Sequence, residues 1–143
     1  MRRIVIAIIA SLASLALGDD AAPRLRAARS LKCQFGPGTA TQWSSSEPKT
    51  SAARFDESVT FDAIDLKRGT VRIIGNTGAR DGRVSYSSVG MTISETAPAV
   101  VDVTTIFPIY DKSGNFVAVD TRHVNISGAA IVEQYFGTCK QWQ

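Results

Sequence analysis

Two cysteines, Cys33 and Cys139, stand near opposite ends of the chain, and no third cysteine competes for either. An exported chain with two cysteines is expected to pair them. The bond closes a loop of roughly 100 residues, for which loop-closure entropy alone is worth about 4.7 kcal/mol. It reads as structural, because a redox pair would use a CxxC spacing or a basic, helix-capped thiol, and the chain shows neither.

Export is read from the N-terminus. Arg2 and Arg3 precede the apolar run Ile4 to Leu17, long enough for a signal peptide and shorter than the ~20 residues that span a bilayer. Ala16-Leu17-Gly18 puts small residues at both recognition positions, so residues 1–18 are expected to be a signal peptide cut after Gly18. The product would be periplasmic or secreted. Asp19 stands where a lipid anchor needs a cysteine, so no membrane anchor is expected. Losing Arg2 and Arg3 from 16 Lys+Arg leaves 14 against 13 Asp+Glu, a balance of +1. Nucleic acid is therefore not an expected partner. The one cationic cluster, Arg24, Arg26, Arg29 and Lys32, has no acid between Asp20 and Glu47. It reads as a solvated, flexible N-terminal arm over residues 19–30, or else as an arm that touches an acidic surface such as lipid head groups or a cell-wall polymer.

Residues 31–143 suit one domain with a modest core. From Phe55 onward, short β-type runs alternate with turn residues. Strands are expected at Leu31 to Phe35, Ser58 to Asp65, Thr70 to Gly75, Arg83 to Ser88, Met91 to Glu95, Val100 to Pro108, Phe116 to His123 and Ala130 to Phe136. The connections carry Gly, Asn, Asp and Pro, as tight antiparallel links need. Gly36 to Arg54, which opens on Gly36-Pro37-Gly38 and contains Ser44-Ser45-Ser46, reads as a surface loop that Trp43 anchors to the core.

Alternation assigns faces. Val59, Phe61 and Ala63; Val71 and Ile73; Val84 and Tyr86; Met91 and Ile93; and Val101, Val103 and Phe107 form the apolar side. Asp62, Arg72, Ser85, Thr92, Asp102 and Thr104 fall on the side that suits water. A disulfide between the first strand and the end of the last brings the two ends of the meander within a few ångströms. The fold class is therefore read as all-β: a small closed antiparallel barrel of about eight strands with a terminal disulfide. A barrel of this size is either filled by side chains or holds one small ligand.

Residues able to carry chemistry are few. His123 is the only histidine; a catalytic role with Asp120 is disfavoured, because residues three apart on a strand point to opposite faces and no GxSxG elbow exists. With both cysteines in the disulfide, no metal site and no cofactor is expected. Asp62, Asp65, Asp102, Asp120 and Glu133 are scattered over several strands, and most read as outward-facing rather than as a glycosidase pair. Asp111-Lys112-Ser113-Gly114-Asn115 reads as a hairpin turn, lacking the acid spacing of an EF-hand. Asn125-Ile126-Ser127 fits the N-glycosylation pattern. Trp142 is expected on the surface or plugging a barrel end. The candidate binding residues are Arg80, Arg83, Arg122 and His123; Arg80 falls in the loop Gly75 to Gly82 and Arg83 directly follows it, which places both guanidinium groups at one barrel rim.

The runs Asn115 to His123 and Gln134 to Cys139 resemble small exported proteins of proteobacteria that carry no known function. The plan of an exported eight-strand barrel with a terminal disulfide is also similar to the periplasmic inhibitors of c-type lysozyme. That family inserts a Ser-Gly-type loop into the lysozyme cleft. Thr77-Gly78-Ala79-Arg80 is the nearest match here, with Asp81-Gly82 where the family pattern has an aromatic. The leading expectation is a non-enzymatic exported binding module for a protein or small-molecule ligand. The alternatives are an inhibitor of a secreted hydrolase such as lysozyme, and a small hydrolase using carboxylates.

Overall fold

Turns built on glycine and proline divide the chain into antiparallel strands, each short enough to pair with its neighbour in sequence. The computed structural model describes residues 20–44 and 46–142; the expected signal segment lies outside them. One helix, α1 (Ala21–Ala27), precedes β1 (Leu31–Trp43), β2 (Lys49–Arg54), β3 (Ser58–Asp65), β4 (Thr70–Gly75), β5 (Gly78–Tyr86), β6 (Met91–Ala97), β7 (Val100–Tyr110), β8 (Phe116–Ile126) and β9 (Ala129–Gln141). Strands β3 to β9 follow one another as neighbours, and β1 pairs with both β3 and β9. Eight strands thus close into an antiparallel barrel. Among the described residues closure leaves an unpaired edge on β2, which ladders with β1 alone.

The disulfide sits where the ends meet. Cys33 and Cys139 are directly opposed in the β1–β9 ladder, with Cα atoms 4.0 Å apart, and both are fully buried. The bond and the ladder hold the same seam.

The expected loop Gly36 to Arg54 is instead a hairpin. Past a register shift between Phe35 and Gly38, β1 continues to Trp43, paired on one side with β9 and on the other with β2. The Gly-Pro-Gly signal marks a bend within a strand rather than its end, because β9 supplies a ladder for the strand to continue along. Trp43, at the far end of β1, is 53% exposed and anchors nothing. Likewise β5 begins at Gly78 and not Arg83, so Asn76 and Thr77 alone make the turn between Gly75 and Gly78.

The N-terminal segment departs furthest from expectation. Residues 19–30 were expected to be a flexible arm, but Ala21, Leu25 and Ala28, at i, i+4 and i+7, turn one face of α1 and its C-cap into the core. Pro23 lies in the first turn, where its missing N–H costs nothing. The cations of this segment are engaged. Arg26 stacks over Tyr86 at 4.6 Å and Arg24 over Tyr110 at 6.0 Å, while Arg29 donates to the Ile64 carbonyl at 3.1 Å. Leu25 of α1 joins Leu31, Ile64, Met91, Ile106, Phe116 and the disulfide in the buried core, so the helix covers one end of the barrel. Trp142 lies on the surface, with Lys32 over its ring at 4.8 Å. Among the described residues no helix is long and apolar enough to cross a membrane.

Candidate functional site

The opposite end is open, and what lines it follows from strand register. Across β6, β7, β8 and β9, directly opposed residues share a face, so the interior is built in rows. Met91, Ile106, Ala118 and Gly137 form one row; Ile93, Thr104, Asp120 and Tyr135 the next; Glu95, Asp102, Arg122 and Glu133 the last. Polarity rises from the sealed end to the mouth. Gly137 is required in the first row, because a Cβ there would collide with the Gln34 carbonyl and the Phe35 ring.

This arrangement inverts the expected faces of β7. Asp102 and Thr104 point inward, while Val101 is exposed on the outer wall. Pro98 and Ala99 alone link Ala97 to Val100, which pins Ile93 opposite Thr104. A slip of one residue would turn every side chain over. The run Val100 to Phe107 has apolar residues at both parities, so the turn, not the hydrophobic pattern, decides the face. Ala63 was likewise misplaced. It adopts φ 50° at an irregularity between Asp62 and Asp65, which exposes it and sends Ile64 into the core.

At the mouth lies a cavity of about 320 Å³. Phe61, Ile73 and Ile93 line its apolar depth, and Glu57, Asn76, Thr77 and Arg80 are among the residues of its rim. Phe55, at the kink between β2 and β3, forms one wall; its ring centroid is 5.4 Å from that of Tyr135, and the Arg122 guanidinium lies 5.4 Å above it.

The charges in the cavity are fixed by one another. Arg122 Nε donates to Asp102 Oδ1 at 2.8 Å, and Nη1 reaches Glu133 at 3.9 Å. Burial works against the Arg122 charge, but the Asp102 hydrogen bond and the surrounding carboxylates outweigh it and hold the pKa above its ordinary value. Arg80 is ion-paired with Glu95 and donates to Thr77 Oγ1 at 2.8 Å. Asp120 is 5% exposed and accepts from Thr104 Oγ1 at 2.6 Å. Burial pushes its carboxyl above the usual range, against the pull of the Thr104 hydroxyl, and Asp102 and Glu133 add to the rise.

Of the four candidate binding residues, the structure brings two together. Arg80 and Arg122 both line the cavity. Arg83 is an exposed residue of a shallow depression on the outer wall, separated from Arg80 by strand parity. His123 is exposed on the outside between Val101 and Val132, on the opposite face from Asp120. Sequence reasoning missed Phe55, Glu57, Glu95 and Thr104, and it left Asp102 and Asp120 among scattered acids. Nothing in the linear pattern distinguishes the inward parity of β7. The run Asp111 to Asn115 is the hairpin turn expected, with Asp111 Oδ1 accepting from the Ser113 and Asn115 amides at 2.8 and 2.9 Å. Among the described residues no group of three or more His, Cys, Asp or Glu side chains is placed to hold a metal ion.

Fold and site together define a small closed β-barrel, plugged by a helix at one end and bearing a charged cavity at the other. Comparison with protein-family models, with curated proteins and with solved structures finds no match to this chain.

Proposed function

We propose that this protein is a non-enzymatic binding module, exported with its signal removed, that holds a small ligand in the open end of its barrel. The observation that carries this reading is the contrast between the two ends. One is filled by α1 and the disulfide cluster; the other keeps about 320 Å³ of space walled by fixed polar groups and one aromatic ring. That volume is at the lower end of the range, roughly 300–1,000 Å³, typical of small-molecule sites. The Arg122 and Arg80 ion pairs hold the lining in place before any ligand arrives, which lowers the ordering cost of binding. The disulfide fits an exported protein. A fragment screen read by amide chemical shifts tests the proposal. Shifts should cluster at Phe55, Ile73 and Thr104, and Thr77→Trp at the rim should weaken them; a library that leaves these amides unmoved overturns it.

A second reading has one observation in its favour. Asp102, tied to Arg122, and Asp120, whose burial makes it hold its proton to higher pH than an ordinary carboxyl, face one cavity from adjacent strands, an environment contrast of the kind that separates a base from an acid. Turnover of glycoside or ester substrates, lost in both Asp102→Asn and Asp120→Asn, would support a hydrolase.

A further inference from the structure

The cavity's charges do not balance. Its lining carries four carboxylates, Glu57, Glu95, Asp102 and Asp120, against two guanidinium groups, Arg80 and Arg122. Both guanidinium groups are already paired, Arg80 with Glu95 and Arg122 with Asp102, so neither charge is left uncompensated. Glu57 stands at the exposed rim. The deep position falls to Asp120. Its Oδ1 takes the Thr104 hydroxyl at 2.6 Å, and among the described residues no protein donor hydrogen-bonds to Oδ2. The carboxylate is 95% shielded from solvent, yet Oδ2 is not among the sealed, unpartnered atoms of the described residues, so this oxygen, with no protein donor, opens on the cavity it lines. Its direct neighbours in the inward row are Thr104 and Tyr135, and beyond Thr104 the lining turns apolar, with Ile93 two strands away in the same row and Phe61 and Ile73 in the same cavity wall.

Resting on the reading of this cavity as a ligand site, we infer that its ligand is a small organic amine, whose protonated nitrogen donates to Asp120 Oδ2 while its apolar body lies against Phe61, Ile73 and Ile93. An ammonium group restores the missing positive charge and supplies the missing donor in one step. A carboxylate ligand would meet uncompensated Asp120 with both arginine charges already paired. A neutral alcohol would satisfy the hydrogen bond but not the charge.

Three isosteric probes separate these cases: benzylamine, benzyl alcohol and benzoate, titrated into the full mature protein at neutral pH and followed at the Thr104, Asp120 and Ile93 amides. Benzylamine should bind about tenfold or more tightly than either of the others, the margin expected for a hydrogen bond to a buried charge. Asp120→Asn, which keeps the side-chain shape and the Thr104 contact, should erase that preference. Equal or tighter binding of benzyl alcohol or benzoate overturns the amine inference and leaves the cavity as a binding site. An Asp120→Asn protein that still prefers benzylamine tenfold also overturns it. If none of the three moves these amides, both the inference and the binding-module reading fall.

Discussion

Thr104 Oγ1 donates to Asp120 Oδ1 over 2.6 Å, joining two buried polar side chains that face each other across β7 and β8. This bond marks the boundary between the apolar half of the barrel and its charged mouth. It does not offset the burial of the Asp120 charge, and the carboxyl remains raised above its ordinary pKa.

A sign follows for stability. A carboxyl raised in the folded state penalises the native protein above its folded pKa, and that penalty fades as pH falls toward the unfolded value of about 3.9. Asp120→Asn keeps an acceptor for Thr104 and removes the charge, so at neutral pH it should unfold at higher urea than the wild type. The gap should close as pH is lowered through the Asp120 titration. Asp65 and Asp111 act oppositely. Backbone amides of Arg68 and Asn115, respectively, lead the hydrogen bonding that holds their carboxyls low, so their contribution is lost as pH falls through their folded pKa. Urea titrations of both proteins at several pH values check this.

Arg122 and Arg83 should behave differently on truncation. Arg122→Ala strands Asp102 and Glu133 in the cavity wall and removes the cation over Phe55. We expect a loss of about 1–3 kcal/mol, below the range for fully buried pairs because all three side chains keep some solvent contact. Arg83→Ala, on the outer wall, should stay within about 0.5 kcal/mol of wild type. Equal losses would contradict the assigned parity of β5.

The helical plug carries measurable stability. Leu25 is fully buried against the barrel floor, and Leu25→Ala should cost about 2–5 kcal/mol in chemical denaturation. A flexible arm would give a change near zero.

The seam between β1 and β9 supplies two further tests. Removing the disulfide as Cys33→Ala with Cys139→Ala should cost about 2–5 kcal/mol, and intact mass should rise by two hydrogens on reduction of the native protein. Gly137→Ala drives a methyl into the Gln34 carbonyl and the Phe35 ring, an overpacking expected to cost about 1–3 kcal/mol.

The linear sequence by itself determined the eight strands of the barrel and their closure, but not the β1–β2 hairpin. Cys33 and Cys139 imply that the ends meet, the turn residues divide the chain, and Ser58–Asp65 and Thr70–Gly75 are strands with the bounds that alternation predicts. These features rest on local chemistry and on one covalent bond, both visible in the letters. Tertiary structure decided the rest. Whether Gly36-Pro37-Gly38 ends a strand or bends one depends on β9 lying alongside. Whether Ala21 to Ala28 is an arm or a plug depends on an open barrel end that needs covering. The parity of β7, and with it the meeting of Asp102, Thr104, Asp120 and Arg122, depends on a register set by the turn at Pro98 and Ala99. Side-chain period two makes a strand with apolar residues at both parities ambiguous, and only pairing with its neighbours resolves which set faces in.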